Sequence, residues 1–173
     1  YSFNFKDFKF IAALLNRDQV EISGKGYGYL ENNSENFSIS ATMDVDWLFL
    51  FKGKDVFYIS GVESTIDIGA DNNQFSFDNI FGSLSFSSEE MVSELNINSI
   101  QADLIFNQSR AFINAEADID DELHTGVEGF FSFSDSTELF NISNLFVVYK
   151  DYEWKSRDTI QIVNTPSRFK VDN

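Results

Sequence analysis

In FSISATMDVDWLFLF, residues 37–51, every odd position is apolar: Phe37, Ile39, Ala41, Met43, Val45, Trp47, Phe49 and Phe51. Ser38, Ser40, Thr42, Asp44 and Asp46 take the even ones. A helix would spread these side chains around its circumference, whereas the two-residue repeat of a β-strand lines them up on one face. As one strand the stretch would reach about 50 Å at ~3.3 Å per residue, far beyond the usual ~5–6 residues. The even side turns apolar at Leu48 and Leu50, which predicts cover on both sides, or a hydrophobic rim, at that end.

The same period runs through the rest of the chain. VFYISGVESTIDIG, 56–69, follows the polar KGKD, and DNNQ, QSR and DSTE mark further turns. About a dozen strands are expected on those turn signals. Residues 8–15 and SSEEMV, 87–92, read as a helical turn or two, too short to change an all-β class. The single proline, Pro166, leaves the strands free to be interior members of a sheet. Gly24, Gly26 and Gly28 share one side of a strand, predicting a bend or a close approach of backbone there.

One irregularity recurs. In FNFKDF (3–8), FSFDNI (75–80), LNINSI (95–100) and FNISNL (140–145) the alternation changes parity at an Asp, Asn or Ser, with IQIVNT (160–165) a partial fifth copy. A bulge that inserts one residue, or an Asx-type bend, does this. The spacing suggests hairpin units of about twenty residues repeated in an extended sheet. Residues 1–173 therefore read as a single all-β segment of a longer, repetitive chain.

Composition removes several function classes. A net charge of −16 repels phosphate backbones and anionic surfaces, so no nucleic-acid partner is expected. With no cysteine there is neither a disulfide nor a thiolate site. No stretch approaches the ~18 apolar residues of a spanning helix. The one histidine, His124 in DELHTGVEG, lacks the context of a catalytic triad and reads as a surface residue. DIDDE, 118–122, departs from the roughly twelve-residue calcium loop and reads as a solvated acidic turn. No catalytic residue, cofactor or metal is expected, and the chain does not read as an enzyme.

What stands out instead is apolar face: twenty phenylalanines, six tyrosines and two tryptophans, each hiding ~150–250 Å² when buried. Such faces either fill the gap between the two sheets of a β-sandwich or line the trough of one curved sheet. Long strands and recurrent bends favour the trough. Its predicted lining is Phe37, Ile39, Met43, Val45, Trp47, Phe49 and Phe51 as one wall, with Phe75, Phe77, Ile80, Leu84, Phe131, Phe133, Leu145 and Val147. In the sandwich alternative the chain would be part of an exported adhesin or carbohydrate-binding protein.

The phrases FSFDNIFGSLSF and LNINSIQADLIF, and the segment NISNLFVVYKDYEWKSRDTIQIVNTPSRFKV with its order of strand, turn, Trp154, break and strand, resemble the TamB family of AsmA-like, bridge-like lipid-transfer proteins. The resemblance implies a taco-shaped periplasmic sheet with an apolar concave face. It further implies phospholipid acyl chains as cargo, a parent chain anchored in the inner membrane, and outer-membrane assembly with an Omp85-type partner.

Overall fold

A computed structural model describes residues 1–8, 20–33, 36–52, 55–71, 79–93, 96–120, 122–134, 137–165 and 168–172. They are organised as β1 (Ser2–Phe5), β2 (Val20–Asn32), β3 (Asn36–Lys52), β4 (Asp55–Asp71), β5 (Ile80–Ser88), β6 (Glu90–Val92), β7 (Asn96–Asn107), β8 (Arg110–Ile119), β9 (Leu123–Ser134), β10 (Thr137–Tyr149), β11 (Tyr152–Lys155), β12 (Ile160–Thr165) and β13 (Arg168–Asp172). The opening alternation is a single strand, β3. SSEEMV is not helical: it closes β5 and forms β6, which continues the line of β5 by pairing β4 on one side and β7 on the other. The helical reading of residues 8–15 falls mostly outside the described residues.

All thirteen strands join one antiparallel sheet in the order β1-β2-β3-β4-β5-β7-β8-β9-β10-β12-β13, with β11 beside β10. The sandwich alternative is thereby overturned, because no second sheet exists among the described residues to fill a shared core. Energetics agree. A compact monomer of 19.8 kDa would expose about 8,600 Å², yet this chain exposes 11730 Å². The buried apolar side chains, Ala41, Ile59, Val62, Ala70, Ile80, Ala111 and Ile142 among them, are scattered along the sheet, and among the described residues no large side chain is fully buried. Stability therefore comes from ladder hydrogen bonds and cross-strand contacts between neighbours rather than from a sealed interior.

The parity slips are real. Phe3 and Phe5 pair Gly28 and Gly26, and after Lys6 and Asp7 the amide of Phe8 donates to the carbonyl of Gly24. The slip keeps all three phenylalanines on one face, over the three glycines: a Cβ on Gly26 would lie 2.8 Å from the Phe8 ring, and one on Gly28 2.6 Å from the Phe3 ring. Register also shifts between Ile97 and Ser99 and between Ile142 and Asn144, at the Asn and Ser positions of the second and third readable copies. IQIVNT pairs β13 with no shift. FSFDNI lies outside the described residues apart from its last two.

Candidate functional site

Directly paired residues of an antiparallel ladder point to the same face, so the register traces each face across the sheet. One row runs Phe3, Gly28, Ala41, Ile66, Leu84, Leu104, Ile113, Gly129, Ile142 and Ile160, one residue per strand from β1 to β12. Every member is apolar or glycine. The next row, from Leu30 and Ile39 through Phe106 and Phe131 to Phe140, Ile162 and Val171, is equally free of polar side chains. Phe131 and Phe140 stack there at 4.1 Å. On the other side of the first row Phe5, Met43, Phe86, Ala102, Ala115, Val127 and Leu145 follow, interrupted by buried Ser64. The intervening residues are Ser40, Thr42, Asp44, Glu63, Thr65, Asp67, Ser83, Ser85, Asp103, Asn114 and their like. One face is apolar; the other is mixed, its polar residues interspersed with Tyr27, Tyr29, Phe81, Ile105, Phe112 and Phe130.

This places most of the predicted lining together. Phe37, Ile39, Met43, Val45, Ile80, Leu84, Phe131, Leu145 and Val147 lie on the apolar face. Phe75 and Phe77 are outside the described residues, as is the side chain of Phe133. Trp47, Phe49 and Phe51 require a correction: they do not continue the wall begun by Phe37. Val45 pairs Gly24, but Trp47 pairs Ser23, so Asp46 is an extra residue in β3. β2 has none, and its even residues stay on the apolar face from Leu30 to Val20. Beyond Asp46 it is accordingly Leu48 and Leu50, opposite Ile22 and Val20, that face the apolar side, while Trp47 and Phe49 sit opposite Ser23 and Glu21. Gly61, in the left-handed region at φ 57, makes the matching insertion in β4, which is why Ile59 and Val62, three residues apart, are both buried.

Sequence reasoning did not place Leu48, Leu50, Ile59, Ile100, Leu104 or Ile113 in the lining, although the apolar even positions at 48 and 50 already marked a change at that end of the strand.

On the polar face the acidic balance is locally compensated. Lys25 pairs Asp44 at 2.8 Å, and that hydrogen bond and charge raise the lysine's pKa. Asp118 accepts from the Ser99 hydroxyl at 2.6 Å and from His124 Nδ1 at 2.8 Å; those two donors, Ser99 foremost, hold its carboxyl below the usual aspartate value. His124 is a half-exposed strand residue in β9. A cleft of about 400 Å³ lies beside it, lined by Asn98, Asp118, Glu122, Val148 and Lys150. Serine, histidine and aspartate meet here in an order unsuited to nucleophilic catalysis: the carboxylate is in the middle, and the histidine is bonded to it rather than to the serine it would have to deprotonate. Among the described residues no three potential ligands gather to hold a metal, and no helix is long and apolar enough to cross a membrane.

Comparison with protein-family models, curated proteins and solved structures returns no match.

Proposed function

We propose that the chain is a periplasmic segment of a TamB-like protein, its apolar face a groove that carries phospholipid acyl chains between membranes in outer-membrane biogenesis. One observation carries the reading: neighbouring apolar residues on the two faces differ in exposure. Phe81, Ile105 and Phe112, on the polar face, are 47%, 55% and 40% exposed, whereas Ile80 and Ala111, their neighbours on the apolar face, are 6% and 3% exposed; Leu104 and Ile113 fall between. Among the described residues no second layer covers either face, so a sheet that curls toward its apolar side accounts for the difference, as side chains inside a curve crowd one another.

Dimensions suit a track better than a pocket. Eleven strands on the hydrogen-bonded path, about 4.8 Å apart, carry apolar rows for roughly 48 Å. One acyl chain spans about 15 Å, half a bilayer's hydrocarbon core. Transfer at about 25 cal/mol per Å² draws tails to such a surface without any head-group site. Docking with an Omp85-type partner belongs to the parent chain in this reading.

The test is lipid crosslinking from photoreactive residues at Met43 and Leu104, with Ser40 as the opposite-face control. Lipid adducts are expected at the first two and not at the third; equal labelling of all three would sink the proposal. Val45→Asp supplies a second readout. In an open groove the aspartate keeps access to water, so folding survives while bound lipid disappears from native mass spectra. In a sealed core the same change would cost several kcal/mol, on the order of 3.

A further inference from the structure

On the face away from the groove, two neighbouring rows interrupt the hydroxyls and acids. One holds Ile105, Phe112 and Phe130, paired side by side across β7, β8 and β9. The other runs Phe81, Asn107, Arg110, Ser132, Leu139 and Val163 from β5 to β12. Phe81, Ile105 and Phe112 are exposed, and Phe130, Leu139 and Val163 half-buried. Phe112 and Phe130 meet at 6.0 Å, and the Arg110 guanidinium lies 5.4 Å from the centre of the Phe130 ring. Among the described residues Lys25, Lys150, Lys155 and Lys170 each pair a carboxylate, but Arg110 pairs none. In a chain with 28 acidic and 12 basic residues, this arginine has a ring beneath it and no anion.

Exposed aromatic and aliphatic side chains around an arginine have the composition of a protein–protein interface core, where rings and arginine are enriched and lysine and acids depleted. Contact with a ring leaves the guanidinium fork free to take a carboxylate through two parallel hydrogen bonds. Six strands about 4.8 Å apart make the patch roughly 24 Å long, and its two rows make it about as wide as one helix, ~10 Å. That is small beside the roughly 800 Å² per partner of a standard interface, but it matches a single helix of about 16 residues. We propose that the patch docks an acidic amphipathic helix of a partner protein, a carboxylate of the helix on Arg110 and its apolar stripe on Ile105, Phe112 and Phe130. A bilayer laid on this face would bring its phosphates onto Asp67, Asp103 and Glu128, which border the patch; a helix covers the patch and leaves them in water. A second copy of this chain brings the same −16 charge. The inference is independent of the groove, which lies on the opposite face.

The test uses three labelled helical peptides of about 16 residues that share one leucine stripe and carry glutamate, glutamine or lysine along its flank, titrated into the full chain at about 0.15 M salt. Fluorescence anisotropy should show the glutamate peptide binding about fivefold more tightly than the glutamine one, although the −16 charge at long range favours lysine. Arg110→Gln should abolish that preference and leave the glutamine peptide's affinity as it was. Phe112→Ser, and separately Ile105→Ser in case the first perturbs folding, should each weaken the glutamate peptide by about tenfold, with an unchanged circular dichroism spectrum. A photoreactive residue at Ile105 should crosslink the glutamate peptide, and one at Leu104, its neighbour on the groove face, should not. Equal affinity for the glutamate and glutamine peptides, a preference for lysine, or crosslinking at Leu104 rather than Ile105 overturns the inference.

Discussion

Asp118 shows how much a single side chain on this open sheet can contribute. Its carboxylate is held by Ser99 and His124, so its folded pKa lies below the ordinary aspartate value of 3.8. A depressed acid stabilises the fold fully above its unfolded pKa and stops doing so as pH falls through the folded one. Wild type should therefore lose stability below pH 3.8 more steeply than Asp118→Asn, the two curves converging in acid. With 49% of the side chain exposed, solvent screening limits the difference at neutral pH to roughly 1 kcal/mol, measurable by urea unfolding at several pH values. Sequence gave no sign of this cluster, because Ser99, Asp118 and His124 become neighbours only through the pairing of β7, β8 and β9. The glycines were legible: Gly24, Gly26 and Gly28 on one parity announced a close approach, and Phe3 and Phe8 make it.

At the scale of elements, what could be read depended on whether a parity slip left a trace. LNINSI and FNISNL each place apolar residues on both sides of the slip, and both shift register where the alternation breaks. Around Asp46 the odd positions remain apolar straight through the extra residue, so Trp47, Phe49 and Phe51 continue a pattern on paper that the strand has already turned over. Only Leu48 and Leu50 gave it away. Turns were found from polarity rather than geometry. Gln108, between paired Asn107 and Arg110, sits in the left-handed region at φ 51, a conformation that costs most residues about 1–2 kcal/mol and asparagine less. Gln108→Asn should accordingly stabilise the chain by up to about 1 kcal/mol, seen as a raised denaturant midpoint with an unchanged slope.

For the whole molecule, alternation settled that the chain is all-β but could not say what faces the apolar rows, since a strand in a sandwich and one in a single layer have the same pattern. The layer count is a property of how strands are connected, and here hairpin follows hairpin into one sheet with two outer strands, β1 and β13, each paired on one side only among the described residues. An uncovered apolar face and two strand edges are what drive association. Opposing them is a charge of −16, which at neutral pH and low salt makes copies repel. Charge should therefore be what keeps the lipid-free chain monomeric. Light scattering is expected to report a monomer at pH 7 and low salt, then growing assemblies as pH approaches the pI of 4.2. At pH 7, salt should favour association as the Debye length falls to about 3 Å at 1 M. Loading with a single-chain phospholipid should suppress assembly by covering the apolar face. Assembly that ignores both charge and lipid would mean that the strand edges, rather than the face, drive it, and Phe3→Lys on β1 would then be the variant that blocks it.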